Sequence, residues 1–183
     1  MRISSIIESM KEVAGIGGDE RKRFNLYTAL IYACRIIYNR AKQISPITIN
    51  NERFTLALDK NHEEHLFTGS MQRIEQVFII LNNALDELAT SPKSFEERYI
   101  HISVISMKKE IKIYFRDNTG GIPEKLLPTL FDPFVSTKSQ SGMGIGLNIA
   151  KTIVEDHDGT IIAYNDSEGA VFEITLPLDQ GGK

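Results

Sequence analysis

The stretch from Asp117 to Leu147 constrains this chain most. It holds five of the 13 glycines and three of the six prolines among 183 residues, set between a β-rich run and a helical pattern. Glycine concentrates where backbone must adopt positive φ or approach another group closely. Residues 118–143 are too long for a simple turn and offer only a short helix at Pro123–Leu127. A loop of that length inside a folded domain is characteristically a functional lid.

The flanking patterns predict the scaffold. Ile3, Ile6, Ile7, Met10 and Val13 recur at helical spacing over residues 2–14, and Gly15–Arg23, with three glycines and a charge run, reads as a linker. A boundary near residue 20 then separates residues 1–20 from a domain of residues 21–183. Leu26, Leu30, Ala33, Ile37, Ala41 and Ile44 predict a helix over 25–43, stopped by Ser45-Pro46. Ile47–Ile49 and Phe54–Leu58 read as two strands joined at Asn50–Arg53, with a third at His65–Thr68. Ser70 is the N-cap of one long amphipathic helix carrying Ile74, Val77, Phe78, Leu81, Leu85 and Leu88 to about Thr90. Tyr99–Ser106 and Ile111–Phe115 predict a hairpin whose second strand runs into Asp117. Gly144–His157 predicts a helix ended by Gly159, and Thr160–Asn165 with Ala170–Leu176 predicts a second hairpin. This order implies an α+β two-layer sandwich, one mixed sheet covered on one face by helices.

Composition removes several classes. The hydrophobic share of 42% suffices for a core. Lysine and arginine number 21 against 24 acidic residues, so the net charge of −3 supplies no field for nucleic acid. The longest apolar runs, such as Val77–Leu81, fall far short of the ~20 residues that span a bilayer, and the N-terminus has no signal pattern. The expectation is a soluble, cytoplasmic chain without membrane contact. Cys34 is the one cysteine, which leaves no disulfide and no Cys-x-x-Cys metal site within the chain.

Three segments carry chemistry that a bare fold does not need. Asp117-Asn-Thr-Gly-Gly-Ile-Pro123 ends a strand with a carboxylate followed by flexible backbone, suited to accepting a hydrogen bond from a base; a plain Asx-Gly turn explains it equally well. Gly142-Met-Gly-Ile-Gly-Leu147 opens a helix, where amides and the helix N-terminus can meet phosphate oxygens. Because Lys138–Ser141 before it is loop, a dinucleotide-binding fold is disfavoured, and no Gly-x4-Gly-Lys-[Ser/Thr] run exists for a P-loop. In the helix, Asn83, Asp86 and Glu87 share a face. A solvated surface accounts for Asp86 and Glu87, whereas Asn83 borders the apolar Ile79 and Ile80. His65, His101 and His157 offer no metal-ligand spacing.

Taken in chain order, Ile79–Glu87, Asp117–Pro123, Phe131-Asp-Pro-Phe134-Val-Ser-Thr-Lys138 and Gly142–Leu147 resemble the N, G1, F and G2 boxes of sensor histidine kinases. The resemblance runs from about residue 24 to 178 and implies the Bergerat-type ATP-binding fold with a mobile lid, shared with DNA gyrase, the ninety-kilodalton heat-shock chaperone and MutL. It implies that Asn83 coordinates Mg²⁺ bridging the phosphates of ATP and that Asp117 accepts from the adenine amine. Gly142, Gly144 and Gly146 would line the triphosphate, Gly121 would admit the base, and Phe131 and Phe134 would anchor the lid. Lys138 would reach the γ-phosphate. Asp86, Glu87, Thr119, Ile122, Ile145 and Leu147 complete the implied nucleotide site.

Two residues depart from the family pattern. Thr119 stands where a glycine is usual, which disfavours positive φ there and offers a hydroxyl to the nucleotide. Ile79, four residues before Asn83, replaces an asparagine or a water-activating glutamate, so hydrolysis is expected to be poor. Phosphoryl transfer to an imidazole needs no such base, because the acceptor is itself the nucleophile. The implied activity is ATP-dependent protein histidine kinase, the acceptor lying on a dimerisation helix upstream or in trans, with a response regulator receiver domain downstream. His62-Glu63 is only a superficial acceptor match. Residues 2–14 resemble the end of a dimerisation helix and suggest a homodimer. The alternatives are a non-catalytic interaction module of the same fold and an anti-sigma-type protein serine kinase.

Overall fold

The computed structural model describes residues 21–58, 65–135 and 144–179; the expected helix at 2–14, His62-Glu63, Lys138 and Gly142 lie outside the described residues. The elements follow in the order β1 (Lys22–Asn25), α1 (Leu26–Ile44), β2 (Ile47–Ile49), β3 (Glu52–Arg53), β4 (Leu66–Gly69), α2 (Met71–Val77), α3 (Ile79–Thr90), β5 (Ile100–Ser106), β6 (Glu110–Asp117), α4 (Gly146–Asp156), β7 (Thr160–Asn165) and β8 (Ala170–Pro177). Six strands form one sheet in the order β3-β2-β5-β6-β8-β7, and β1 pairs with β4 in a separate two-stranded ribbon. Only β2 and β5 run parallel within the sheet; its other pairings are antiparallel. The expected α+β sandwich is therefore present. No helix among the described residues is long and apolar enough to cross a membrane.

Strand periodicity decides which face is covered. In β6, Ile111, Ile113, Phe115 and Asp117 are buried while Lys112, Tyr114 and Arg116 alternate with them toward the open side. Ile100, Ile102, Phe172, Ile174 and Leu176 extend that apolar face, and Leu26, Leu30, Ile80, Leu81, Leu85 and Ile153 from the helices pack against it. Cys34 lies in this core, and burial pushes its thiol up to about 12.

Four expectations are corrected. The long helix is two, broken at Phe78 (φ −75, ψ 9), whose ring packs on Phe115 with centroids 5.8 Å apart. Phe54–Leu58 is not a strand. Asn50 and Asn51 both take positive φ (47 and 67), which closes a two-residue hairpin and starts β3 already at Glu52. Lys22–Asn25, expected within and beside the linker, forms β1 against β4. Finally, Asp158 rather than Gly159 holds the left-handed position after α4 (φ 58), with Gly159 N–H bonding Val154 O at 2.9 Å and Asp158 N–H bonding Glu155 O at 3.0 Å. Gly159 serves contact instead, since a Cβ there would stand 2.5 Å from Thr175 O.

His157 ties two helix ends together. Its Nε2 accepts from the Ser70 N–H at 3.1 Å and its Nδ1 lies 2.7 Å from Ile153 O, which assigns the proton to Nδ1. Ser70 in turn caps α2, accepting from the Arg73 N–H at 3.4 Å. The Asp156 carboxylate meets the Arg73 guanidinium across the same junction. This structural role of His157 yields a test: His157→Leu strands the buried Ser70 N–H and is expected to lower stability by ~1–3 kcal/mol in urea unfolding.

Candidate functional site

Asp117 ends β6 on the helix-covered face and is 6% exposed. Its Oδ1 accepts from the Thr119 N–H at 3.0 Å and from the Thr119 hydroxyl at 2.6 Å. Burial holds its carboxyl above the ordinary carboxylate range, opposed by these donors and by the Ala170 N–H. Thr119 thus directs both its amide and its hydroxyl to Asp117, beside the position expected for a nucleotide. The positive φ values fall one residue later, on Gly120 (99) and Gly121 (91), so the threonine does not obstruct the loop. Gly169 lets this loop pass, because a Cβ there would stand 2.1 Å from Asp117 O.

Two residues in and beside the loop were legible only as turn formers. Buried Asn118 accepts from the Tyr99 N–H at 3.1 Å and donates to Glu97 O at 2.8 Å, fastening the 91–99 connection to the site. Asn165, at the end of β7, accepts from the Ile122 N–H and donates to Ile122 O, both at 2.7 Å.

Asn83 stands in α3, which Phe78 seats against β6 two residues before Asp117. Its carboxamide is half-exposed and has no hydrogen-bond partner among the described residues. One turn earlier, Ile79 points at the start of α4: a Cβ on Gly146 would lie 2.9 Å from Ile79 Cδ1. The N-terminus of α4 and the Asn83 helix are thereby held face to face. Asp86 forms an ion pair with Arg40 of α1, which also donates to Asn82 Oδ1 at 3.4 Å, and Glu87 is exposed.

At the other side, Phe131 packs edge-on against Phe172 at 6.4 Å and its carbonyl accepts from Asn148 Nδ2 at 3.0 Å, joining the F box to α4. Phe134 is 50% exposed, adopts φ 68, and donates its N–H to Gly144 O at 2.9 Å. A Cβ on Gly144 (φ 64) would meet Phe134 C and Val135 O at 2.7 Å, so only glycine fits this crossing. Ile145 is buried at the N-cap of α4 and supplies no capping side chain, while the first turn holds no acidic residue. Leu147 and Ile122 pack against the core. A helix start without a capping side chain or an acidic first turn presents amide donors and positive dipole, a setting suited to phosphate oxygens.

The donor set fits Mg²⁺ held chiefly through phosphates. No cluster of three or more His, Cys, Asp or Glu among the described residues could cage a metal, and one free carboxamide oxygen matches an ion that keeps several waters.

Comparison with known proteins bears on the fold and the family. The family described as histidine kinase-, DNA gyrase B-, and HSP90-like ATPase matches residues 70–180. The two-component sensor PprA of Pseudomonas aeruginosa is 34% identical over 114 residues, 60% of this chain and 12% of that protein. A putative sensor histidine kinase NtrY-like protein of Rickettsia bellii is 31% identical over 149 residues, 80% of this chain and 24% of that one. The chain thus spans less than a quarter of the length of these relatives. The solved catalytic domain of histidine kinase ThkA superposes with a TM-score of 0.66 at 26% identity, covering 86% of this chain and 95% of that domain. The crystal structure of ThkA in complex with response regulator protein TrrA aligns over 98% of this chain and 49% of that one, with a TM-score of 0.67 at 23% identity, a likeness of fold. With a family match over more than half its length, the chain belongs to the histidine kinase-, DNA gyrase B-, and HSP90-like ATPase family.

Proposed function

We propose that this domain binds ATP with Mg²⁺ and presents the γ-phosphate to a histidine on a dimerisation helix, within a two-component pathway whose next member is a response regulator receiver domain. The observation that carries the reading is Asp117, a carboxylate buried at a strand end beside two positive-φ glycines. A buried acceptor there favours adenine, whose exocyclic amine donates, over guanine, whose O6 accepts. ThkA, solved with the response regulator protein TrrA, supports the downstream partner. The setting proposed for the domain is cytoplasmic.

Each residue of the chain has a defined task in this reading. Asn83 holds the metal through its carboxamide oxygen, and the metal when bound neutralises phosphate charge. Gly144 and Gly146, with Gly142, let backbone amides of the α4 start approach the triphosphate. Ile145, Leu147 and Ile122 wall the pocket, Phe131 and Phe134 anchor the lid, and Lys138 meets the γ-phosphate. Asp86, bound to Arg40, and Glu87 act at the rim of the site. Ile79 occupies the place from which a base would activate water, and its apolar side chain beside Gly146 disfavours a hydrolytic water there. Catalysis is then positioning and charge stabilisation, with the incoming imidazole as nucleophile.

Calorimetric titration with a non-hydrolysable ATP analogue, with and without Mg²⁺ and against GTP, tests the site. Selective, Mg²⁺-dependent adenine binding is expected; no binding would favour the interaction-module alternative. Asn83→Ala should abolish the Mg²⁺ dependence while leaving the fold intact by circular dichroism. Labelled ATP mixed with a separate histidine-bearing helical bundle should transfer acid-labile phosphate, whereas transfer to a serine would favour the anti-sigma-type alternative.

Asp117 also sets a pH dependence. The carboxylate makes the stronger, charge-assisted bond to the amine, and burial raises its pKa in the fold, so affinity falls as pH drops through that raised value. Asp117→Asn should weaken binding by ~1.5–3 kcal/mol, tenfold or more, and flatten the acid limb of the affinity profile.

A further inference from the structure

We propose that Asn165 is a positioning residue for the nucleotide, holding the loop that forms the base-side wall. This rests on the nucleotide reading above. Asn165 ends the edge strand β7 and shares the inward register of Ile161 and Ala163; its cross-strand partner is Ala170. Ala170 N–H bonds the Asp117 side chain, so Asn165 stands two strands over from Asp117 on the same sheet face.

The loop leaving Asp117 crosses the start of β8 at Gly169, where a Cβ would stand 2.1 Å from Asp117 O and 2.9 Å from Asn118 Cα. Beyond that crossing, nothing in the sheet ladder holds it. Asn165 supplies the missing hold: its carboxamide pairs with both the N–H and the carbonyl of Ile122, each at 2.7 Å. Two antiparallel bonds to one residue fix its orientation as well as its position. The same carboxamide lies flat against Gly121, since a Cβ there would meet Asn165 Oδ1 at 2.7 Å and Cγ at 2.9 Å.

The need for such a clamp follows from the backbone between. Gly120 and Gly121, both at positive φ, are the residues with the most freedom to lose on ordering. Thr119 secures the upstream end through Asp117, and Asn165 secures the downstream end. With both ends held, ordering of the wall precedes ligand arrival and is not charged against binding. Asn165 is exposed and both its side-chain bonds go to one loop residue, Ile122, so its loss affects the loop more than the fold.

The test compares wild type with Asn165→Ala, using two probes with Mg²⁺: a non-hydrolysable ATP analogue and inorganic tripolyphosphate, which lacks a base. Amide hydrogen exchange across residues 119–122 and the melting temperature are measured alongside. We expect the variant to bind the analogue about tenfold more weakly, the scale of one net hydrogen bond. Tripolyphosphate affinity should stay within about twofold, below the ~0.6 kcal/mol of RT, exchange at Gly121 and Ile122 should accelerate, and melting should be unchanged. Unchanged analogue affinity in the variant overturns the proposal. So does equal weakening of both probes with a lowered melting temperature, the mark of a merely structural role. Failure of the wild type to bind the analogue would instead sink the nucleotide reading itself, and this inference with it.

Discussion

A buried carboxylate is the constraint around which the upper end of the sheet is arranged. Desolvating Asp117 disfavours its charge, and the surrounding chain answers with donors: the Thr119 amide and hydroxyl on one oxygen, and the Ala170 amide from the neighbouring strand. Those donors require the loop to fold back tightly and Gly169 to lack a side chain. Asn118, immediately after, turns outward to hold the 91–99 connection through Tyr99 and Glu97. The polar groups around Asp117 are therefore mostly engaged with one another, and the chain's own bonds shape this end of the site.

The opposite wall is built by packing. Phe78 locks α3 onto β6 through Phe115, and Ile79 fills the hollow left by the missing side chain of Gly146. An apolar contact thus brings two polar features together, the Asn83 carboxamide and the uncapped start of α4. A larger residue at position 146 would push the helices apart and separate the two. In the proposed reading, the residue that seats α4 also stands where a water-activating group would lie, so packing and chemistry meet at one position.

Much of this was readable from residue order. Alternation in β5 and β6 located the central hairpin, and four motifs in their order pointed to the candidate site. What escaped detection had specific causes. The break at Phe78 carries no glycine or proline, and the apolar stripe continues across it. β1 is a four-residue strand in a two-stranded ribbon, and its lysine and arginine hide it in a charge run. Phe54, Leu56 and Leu58 alternate like a strand, but the left-handed pair Asn50-Asn51 turns the chain too early for that pairing. Asn118 and Asn165 resemble ordinary turn asparagines until the segments they bind, distant in sequence, are brought beside them. Asp86 was grouped with Asn83 by helical spacing, yet its partner is Arg40 on another helix, which no local pattern discloses.

The burial of Cys34 has a practical consequence. A thiol with a pKa near 12 and no exposed surface holds almost no thiolate at neutral pH and is closed to alkylating reagents. The folded chain is therefore chemically silent toward maleimides without any substitution of its native cysteine. A single new cysteine on the outer surface, for instance in place of exposed Ile105 in β5, would become the sole labelling position, and a fluorophore there would report on the native core rather than on an altered one.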